Sequence, residues 1–293
     1  MAHLPLLSNL VPCTEGSGVD LGKALGAKVV LLQWHSQNVD GLVELPVYVD
    51  EWLGANTSAS IEQVVVHLHG KERDGDVTWA DIAAARSRLP IDQQSRTLIV
   101  VPQFLNGLDK AKLHRLNRSN RLLVWKSNGW GEGCDSVRPK PTALDGGVSS
   151  FEALDTIVCH FASRHMFPSI QRIVVSGHSM GGQLVHRYSI IGSPPLSPQE
   201  LRAVRMEFVV MNPASYVYFN SDRSGPPALE ANVYKYGFEK LNSKLPTYRG
   251  IRNDQDAQFY LNRMLCERHI HFLHGEEDRG VGDDRPEAMA QGT

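Results

Sequence analysis

One serine of this chain stands in a setting that favours covalent chemistry. Ser179 lies in the segment Gly177-His178-Ser179-Met180-Gly181. A β-branched, strand-like run at 173–176 precedes it, and an amphipathic helical pattern follows it directly. A serine on such a sharp strand-to-helix turn is strained, and its flanking positions must be small, which the two glycines satisfy. The pattern predicts that Ser179 is a nucleophile that attacks a carbonyl carbon.

The attack would create an oxyanion, which two backbone amides usually stabilise. The residue after the nucleophile, Met180, supplies one, because the following helix directs its N-terminus at the site. The second comes from the loop after an earlier strand, which here reads His67-Leu68-His69-Gly70-Lys71. Gly70 allows the backbone to turn sharply, so we predict the amide of Lys71 as the second donor.

A carboxylate that orients a catalytic imidazole should follow a later strand, since the chain order of such sites is serine, acid, histidine. The strand-like run 269–273 is followed by Gly275-Glu276-Glu277-Asp278. Asp278 fits the position best, and Glu276 or Glu277 is an alternative.

The general base has no obvious candidate. All twelve histidines lie at or before His274, so the usual position after Asp278 is empty. His271 and His274 could replace it only through an unusual geometry. The last strand and helix expected of such a fold are also missing from the sequence, and we therefore expect a C-terminal truncation.

Other polar and aromatic residues could line a pocket. We consider His69, His178 and Trp130 as candidates, the last in a Gly- and Trp-rich loop at 125–135. His67 and His69 alternate on a predicted strand and share one face, but a metal site would need further ligands at suitable spacing. We therefore predict no metal and no cofactor.

Composition and charge limit the remaining classes. The chain has 293 residues, of which 42% are hydrophobic and 21% charged, with a formal net charge of -2. These values favour a globular protein and give no electrostatic reason to expect nucleic acid or a membrane as a partner. The four cysteines form no CxxC pair, which argues against a disulfide framework. The oligomeric state stays open.

The elements that position these residues alternate along the chain. Short β-branched runs, typical of strands covered on both faces, occur at 29–34, 43–49, 61–68, 97–101, 173–176, 208–211 and 270–273. Helical patterns lie between most of them. One has a capping-box pattern at Thr78–Asp81, another opens at Ser149-Ser150, and a third has a capping box at Ser197–Glu200. Alternation of this kind predicts an α/β fold with a mostly parallel, doubly covered sheet.

The chain is expected to form a single domain over residues 1–293. The stretch at about 220–252 differs from the rest, because it holds Ser-Gly-Pro-Pro and several tyrosines with little periodicity. We interpret it as a cap-like insertion over the end of the sheet.

These motifs resemble the α/β-hydrolase superfamily in order and spacing over about residues 28–278. They are His-Gly at 69–70, Gly-His-Ser-Met-Gly-Gly at 177–182 and Gly-Glu-Glu-Asp at 275–278. The sequence looks similar to small fungal members, some of them in secondary-metabolite or toxin gene clusters, through segments at 101–104, 129–135, 149–152 and 211–216. The resemblance implies Ser179 as nucleophile, Asp278 as acid, and Met180 and Lys71 as oxyanion donors. It also implies that a missing final strand would leave 270–273 as an exposed sheet edge.

We therefore expect a serine hydrolase that cleaves an ester, thioester or lactone of a small organic acid. The alternative is a truncated, catalytically impaired paralogue that keeps only the fold and pocket. A metal-dependent hydrolase using His67 and His69 is the weakest alternative. The expected location is the cytoplasm, or the peroxisome if a lost C-terminal segment carried the signal.

Overall fold

The computed structural model describes residues 8–12, 21–54, 56–115, 120–141, 146–251, 255–278 and 285–291. The strands in these residues are β1 (Ser8–Pro12), β2 (Ala27–His35), β3 (Leu42–Asp50), β4 (Gln63–Leu68), β5 (Thr97–Pro102), β6 (Val124–Trp125), β7 (Ser136–Arg138), β8 (Arg172–His178), β9 (Arg205–Met211) and β10 (His269–Leu273). All seven predicted strands are present. The structure adds β1 and the β6–β7 pair, which the sequence patterns missed.

Eight strands form the central sheet in the order β1-β2-β3-β5-β4-β8-β9-β10. The pairs from β5 through β10 are parallel, whereas β1, β2, β3 and β5 pair antiparallel. The prediction of a mostly parallel sheet is thus correct for the half that carries the site. On the other side, residues 36–41 are too short for the crossover that parallel β2 and β3 would need.

Helices connect the strands. They are α1 (Gly75–Arg86), α2 (Ile91–Gln94), α3 (Lys110–Arg115), α4 (Ser150–Ala162), α5 (Met180–Ile191), α6 (Pro198–Ala203), α7 (Leu241–Lys244), α8 (Ala257–Glu267) and α9 (Pro286–Met289). Short 3₁₀ turns occur at Ser58–Ser60 and Gly129–Glu132. None of the described helices is long and apolar enough to cross a bilayer.

Helices cover both faces of the sheet, as the β-branched strands predicted. On β5, Leu98 and Val100 belong to the large hydrophobic cluster that includes α4 and α5 residues. The alternate residues Ile99 and Val101 belong to a second cluster that includes Trp79 of α1. Because successive side chains of a strand point to opposite faces, the two clusters lie on opposite sides of the sheet.

Two of the three predicted helix starts agree with the structure. The Ser149 side chain accepts from the amide of Phe151 at the start of α4, and Ser197 forms the full capping box of α6. The start predicted at Thr78 is wrong, because α1 begins three residues earlier at Gly75. The amide of Gly75 donates to the side chain of Gln103, 3.1 Å away, so a residue distant in sequence caps this helix.

The irregular stretch after β9 packs on the large hydrophobic cluster. Within 220–251 the one regular helix is the short α7. The buried side chains of the whole stretch include Tyr234, Leu241 and Tyr248. The Tyr234 hydroxyl donates to the carbonyl of Glu132. The stretch therefore contacts the Gly- and Trp-rich loop that the sequence analysis singled out.

Strand β10 ends the sheet among the described residues. It pairs with β9 on one side only, and Phe272 and Leu273 are 45% and 52% exposed. His271 Nε2 lies 3.8 Å from a carboxylate oxygen of Glu207 on β9. The side chains of Phe272 and Leu273 therefore form part of the accessible surface at the lateral edge of the sheet.

Candidate active site

Ser179 occupies the sharp turn between β8 and α5. Strand β8 ends at His178, helix α5 starts at Met180, and Ser179 between them has φ 56° and ψ −117°. A non-glycine residue with positive φ is uncommon and requires support from its surroundings. Here the Ser179 amide donates to the carbonyl of Met211, at 3.0 Å, and its carbonyl accepts from Gln183. These bonds hold the strained backbone in place.

The two glycines around the serine allow close backbone approaches. A Cβ on Gly181 would lie 2.4 Å from the carbonyl oxygen of Leu68 and 2.7 Å from that of His69. A Cβ on Gly177 would lie 2.6 Å from the carbonyl carbon of Gly181. Side chains at these positions would therefore push the serine turn away from the end of β4.

The loop after β4 lies beside the nucleophile. The position that a Cβ would take on Gly70 is 4.0 Å from the Cβ of Ser179. The Lys71 amide has no hydrogen-bond acceptor among the residues that the structure describes. The Met180 amide is the first of α5 and so has no intrahelical acceptor. Both predicted oxyanion donors thus have unbonded N–H groups on backbone next to Ser179.

His69 holds the loop after β4 in place through hydrogen bonds to the backbone. Its ring is fully buried, Nδ1 lies 2.8 Å from the carbonyl oxygen of Gly70, and Nε2 accepts from the amide of Phe104 at 3.0 Å. Since a carbonyl only accepts, Nδ1 carries the hydrogen and the ring is neutral. Burial lowers the pKa of His69 to about 4, which keeps this tautomer at neutral pH. His69 therefore supports the oxyanion loop, which differs from the expectation that it lines a pocket.

Neither His67 nor His69 is arranged for a metal. His67 Nδ1 lies 2.8 Å from the hydroxyl of Ser176, and both nitrogens of His69 are bonded to the backbone. Within the described ranges, no group of three or more histidine, cysteine, aspartate or glutamate side chains could hold an ion. A metal-dependent reaction finds no ligand set in this part of the chain.

Trp130 is also buried, contrary to the expectation that it lines a pocket. Its ring stacks on Phe104 at 5.4 Å and meets the edge of His69 at 4.7 Å, between ring centroids. The next residue, Gly131, lies directly on Met180, because a Cβ on Gly131 would be 2.5 Å from the Met180 sulfur. The loop that begins at Gly129 thus packs on Met180, one of the two predicted oxyanion donors.

His178, the third residue considered for the pocket, is exposed at the end of β8 next to Ser179. The neighbouring His67 is buried, and this burial lowers its pKa to about 4, with a smaller electrostatic contribution from His178. His178 therefore has a side chain that solvent or a ligand can reach beside the nucleophile.

The predicted acid loop follows the C-terminal end of β10, as Ser179 follows the C-terminal end of β8. The Gly275 amide donates to the side chain of Asn212, at 2.9 Å, and the Asn212 amide donates to the carbonyl of Leu273, at 3.0 Å. The Asp278 amide closes a turn on the carbonyl of Gly275, at 3.0 Å. Asn212, with φ 42°, therefore fastens the exposed Asp278 loop to the strand beside the nucleophile.

A tyrosine–histidine pair lies next to this loop. The Tyr216 hydroxyl and Nε2 of His274 are 2.8 Å apart. The pKa of Tyr216 is raised, first by burial, then by the charges of Tyr218 and Asp278. The Ser179 hydroxyl has no hydrogen-bond partner among the described residues. Ser179, the predicted oxyanion loop and the predicted acid loop therefore follow the C-terminal ends of β8, β4 and β10, and among the described residues no imidazole bonds to the serine hydroxyl.

Sequence reasoning missed several residues that position the site. Asn212 and Tyr216 lie in the segment 211–216, which had been noted only as a family resemblance. Arg187 is fully buried on α5, where it reads in the sequence as an ordinary charged helix residue. The signal that could have found it is a charged residue on the helix that directly follows Ser179, all of whose residues are buried.

No family model matches the sequence, and no curated protein is similar to it. Among solved structures it is similar to poly(aspartic acid) hydrolase-1 from Sphingomonas sp. KT-1, with 17% identity and a TM-score of 0.53 over 92% of this chain and 80% of that one. It is also similar to a poly(3-hydroxybutyrate) depolymerase from Bordetella parapertussis, with 19% identity and a TM-score of 0.51 over 94% of this chain and 74% of that one. At these identities the likeness shows the fold alone, a mixed α/β fold with a large, mostly parallel central sheet.

Proposed function

We propose that this protein is a serine hydrolase that cleaves an ester, thioester or lactone of a small organic acid. The observation that carries the proposal is the strained backbone of Ser179, with φ 56°, at the start of α5 beside the glycine turn after β4. A nucleophile in this position is exposed to a substrate carbonyl and faces two unbonded amides. The names of the two similar structures, a hydrolase and a depolymerase, support hydrolytic chemistry.

The reaction follows from this placement. The Ser179 oxygen bonds to the carbonyl carbon, and its proton passes to a base. The amides of Met180 and Lys71 stabilise the oxyanion. The tetrahedral intermediate collapses, the protonated alcohol or thiol leaves, and an acyl-serine remains. Water then attacks this ester, and the free acid and the serine hydroxyl are restored.

Asp278 is proposed as the carboxylate of the site. It follows β10, whose last residue Leu273 is in register with Met211, which is in register with His178. Strands lie about 4.8 Å apart, so the chain ends that carry Ser179 and the acid loop are about 10 Å apart at the backbone. A carboxylate at this distance acts on the serine through an intervening group rather than directly.

The substrate class is proposed as an acyl compound of low molecular weight, in fungal secondary metabolism or toxin biosynthesis. The sequence segments shared with small fungal α/β hydrolases support this assignment. Such a substrate requires no cofactor, because attack by a serine and stabilisation of the oxyanion by amides use groups of the chain itself.

A second candidate is a protein that keeps the fold and the acyl site but turns over slowly. It is favoured by the Ser179 hydroxyl, which has no bonded base among the described residues. Catalytic serines without their base lose several orders of magnitude in rate but keep some reactivity from the oxyanion site.

A fluorophosphonate probe and p-nitrophenyl acetate separate these candidates. Both are applied to the wild type, to Ser179→Ala, and to Ser87→Ala, which alters an exposed serine at the end of α1. The serine-hydrolase proposal expects labelling and steady turnover that are lost only in Ser179→Ala. Labelling without turnover would favour the second candidate. Absence of both from the wild type would refute the enzymatic proposal.

A further inference from the structure

The loop behind the oxyanion amides has an unusual set of hydrogen bonds. We define residues 129–134 as the Gly-Trp loop. Five consecutive carbonyl groups in it, those of residues 130–134, each accept a hydrogen bond from a side chain. The donors are, in order, Ser150, Arg187, Tyr234, Ser149 and Trp125. Most side-chain hydrogen bonds in proteins are scattered, so a run of five indicates a loop whose shape is fixed from several directions.

Arg187 is the charged member of this set, and it is fully buried. Its guanidinium donates to the carbonyl of Gly131 at 3.1 Å, to the hydroxyl of Ser215 at 3.0 Å and to the carbonyl of Lys235 at 3.4 Å. It also approaches the side-chain oxygen of Gln183 at 3.4 Å. None of these acceptors is a carboxylate, and none of the salt bridges among described residues includes Arg187.

The position of Arg187 relates it to the nucleophile. Ser179, Gln183 and Arg187 stand at i, i+4 and i+8, and so form one row along α5. Side chains in a helix lean toward its N-terminus, which here is the end at Ser179. Gln183 bonds to the Ser179 carbonyl through its amide and to the Ser215 hydroxyl, 2.9 Å away, through its side chain. A buried polar row therefore runs from the nucleophile to the guanidinium.

The guanidinium acts on the oxyanion site through Gly131. This glycine bonds to Arg187 through its carbonyl and packs on the side chain of Met180, because a Cβ on Gly131 would lie 2.5 Å from the Met180 sulfur and 3.8 Å from its carbonyl oxygen. Met180 in turn carries the amide assigned to the oxyanion. A displacement of Gly131 would therefore remove packing from the residue that carries this amide.

We propose that Arg187 is a positioning residue that holds the Gly-Trp loop against Met180 and thereby keeps in place the residue that carries the oxyanion amide. The inference rests on the proposed function, since the oxyanion role of Met180 belongs to it. Arginine suits this task because its planar fork joins three separate chain segments, at 131, 215 and 235, in one fixed geometry.

The energetics support a positioning role over a stabilising one. A buried charge without a carboxylate partner carries a desolvation cost that apolar residues of similar volume avoid. Burial indeed lowers the pKa of Arg187, although arginine stays protonated at neutral pH. Stability alone would thus favour an apolar side chain at this position, whereas a fixed loop geometry requires the hydrogen-bond donors of the guanidinium.

The test compares Arg187→Met with Arg263→Met. Arg263 is the matched control, because its guanidinium holds carbonyl groups of residues 190–192 at the far end of the same helix. With p-nitrophenyl acetate, Arg187→Met is expected to lower kcat roughly 10- to 100-fold, because a displacement of about 1 Å costs this much, while KM changes less than about threefold. Arg187→Lys should recover part of the loss. Arg263→Met should leave kcat within about twofold of the wild-type value.

Hydrogen–deuterium exchange keeps this inference separate from the proposed function. Peptides covering 129–134 should exchange at least about tenfold faster in Arg187→Met and not in Arg263→Met, even if the wild type shows no turnover. If Arg187→Met does not fold, Ser215→Ala, which removes one neutral contact, is expected to show the same pattern at smaller size. Unchanged exchange, or equal effects of both arginine variants on kcat, would overturn the inference.

Discussion

The backbone N–H of Ser179 donates to the carbonyl of Met211 over 3.0 Å, which bonds the nucleophile's turn to the end of β9. The next residue, Asn212, bonds to Leu273 through its amide and to Gly275 through its side chain. The nucleophile and the acid loop are therefore linked through two consecutive residues of one strand end. This relationship makes several variants informative.

Asn212→Gly is expected to lower kcat about tenfold or more. Glycine tolerates the positive φ of this residue, so the variant removes the side-chain bond to Gly275 without adding backbone strain. The freed loop would shift its carboxylate, and small displacements of this kind are costly to rate. Steady-state kinetics would measure the effect, with the exposed Asn220→Gly as control. An unchanged kcat would show that the acid loop does not depend on Asn212.

The three acidic residues of the loop can be separated by single substitutions. Asp278→Asn is expected to lower kcat by roughly 10³- to 10⁴-fold if it orients a catalytic group, as in related triads. Glu276→Gln and Glu277→Gln serve as matched controls and should stay within about threefold of the wild type. The measurement is kcat/KM with p-nitrophenyl acetate. A large loss in either glutamate variant instead would reassign the acid.

Gly181→Ala is expected to destabilise the protein and to abolish fluorophosphonate labelling. The new methyl group would lie 2.4 Å from the backbone oxygen of Leu68, which cannot move without displacing β4. Overpacking of this kind costs about 1–3 kcal/mol or more. Gly107→Ala is the control, because nothing lies within 4 Å of the corresponding position there. Normal labelling of a folded Gly181→Ala would show that the elbow can move apart from β4.

Buried histidines should make the protein sensitive to mild acid. Burial is the first cause that lowers the pKa of His67, His69 and His160 to about 4 and that of His186 to about 3. The unfolded chain binds more protons than the folded one between pH 4 and 6.5, so the free energy of unfolding falls as pH drops through this window.

One of these histidines offers a direct measurement. His160 contacts the rings of Phe161 and Phe167, so His160→Phe suits its surroundings apart from the lost bond to Ser8. The variant should lose up to about 3 kcal/mol of the wild-type change between pH 6.5 and 4. Urea unfolding at several pH values measures this slope. An equal slope in both proteins would contradict the assignment of a neutral, buried His160.

Asp155 should show the opposite pH dependence. Burial raises its pKa to about 7, although the hydroxyls of Tyr188 and Tyr248 donate to it at 2.7 and 2.8 Å. The folded chain therefore binds the extra proton between pH 4 and 7, and this group's contribution to stability falls as pH rises through that window. Relative to the wild type, Asp155→Asn should gain stability on going from pH 4 to 7. A constant difference between the two proteins would contradict the raised pKa.

The sequence predicted the central elements of the fold because their signals are local. The runs ending at Leu68, Ser176 and Met211 are β-branched and buried on both faces, which few other structures allow. Strand β1 and the β6–β7 pair were missed, because such short strands depend on distant partners rather than on periodicity. The start of α1 failed for the same reason, since Gln103, not a neighbour in sequence, caps it.

Those parts of the site were predictable in which the backbone geometry permits only one residue type. Glycines around Ser179 and at position 70 are required by close approaches, and these approaches are present. The roles of His69 and Trp130 were not predictable, because their burial depends on the ring of Phe104, which reaches them from the segment after β5. Arg187 is similar, since its acceptors come from three segments far along the chain.

The bonds of the Gly-Trp loop also bear on the order of folding. Its donors are separated from their carbonyls by 9 residues for Trp125, by 56 for Arg187 and by 102 for Tyr234. Closing the longer of these loops costs chain entropy, and no contact offsets this cost until the loop has closed. We therefore expect this loop to pack fully on Met180 only after α5 and the stretch beyond β9 have assembled on the sheet. The surroundings of the proposed oxyanion amide would then form late, after the secondary structure.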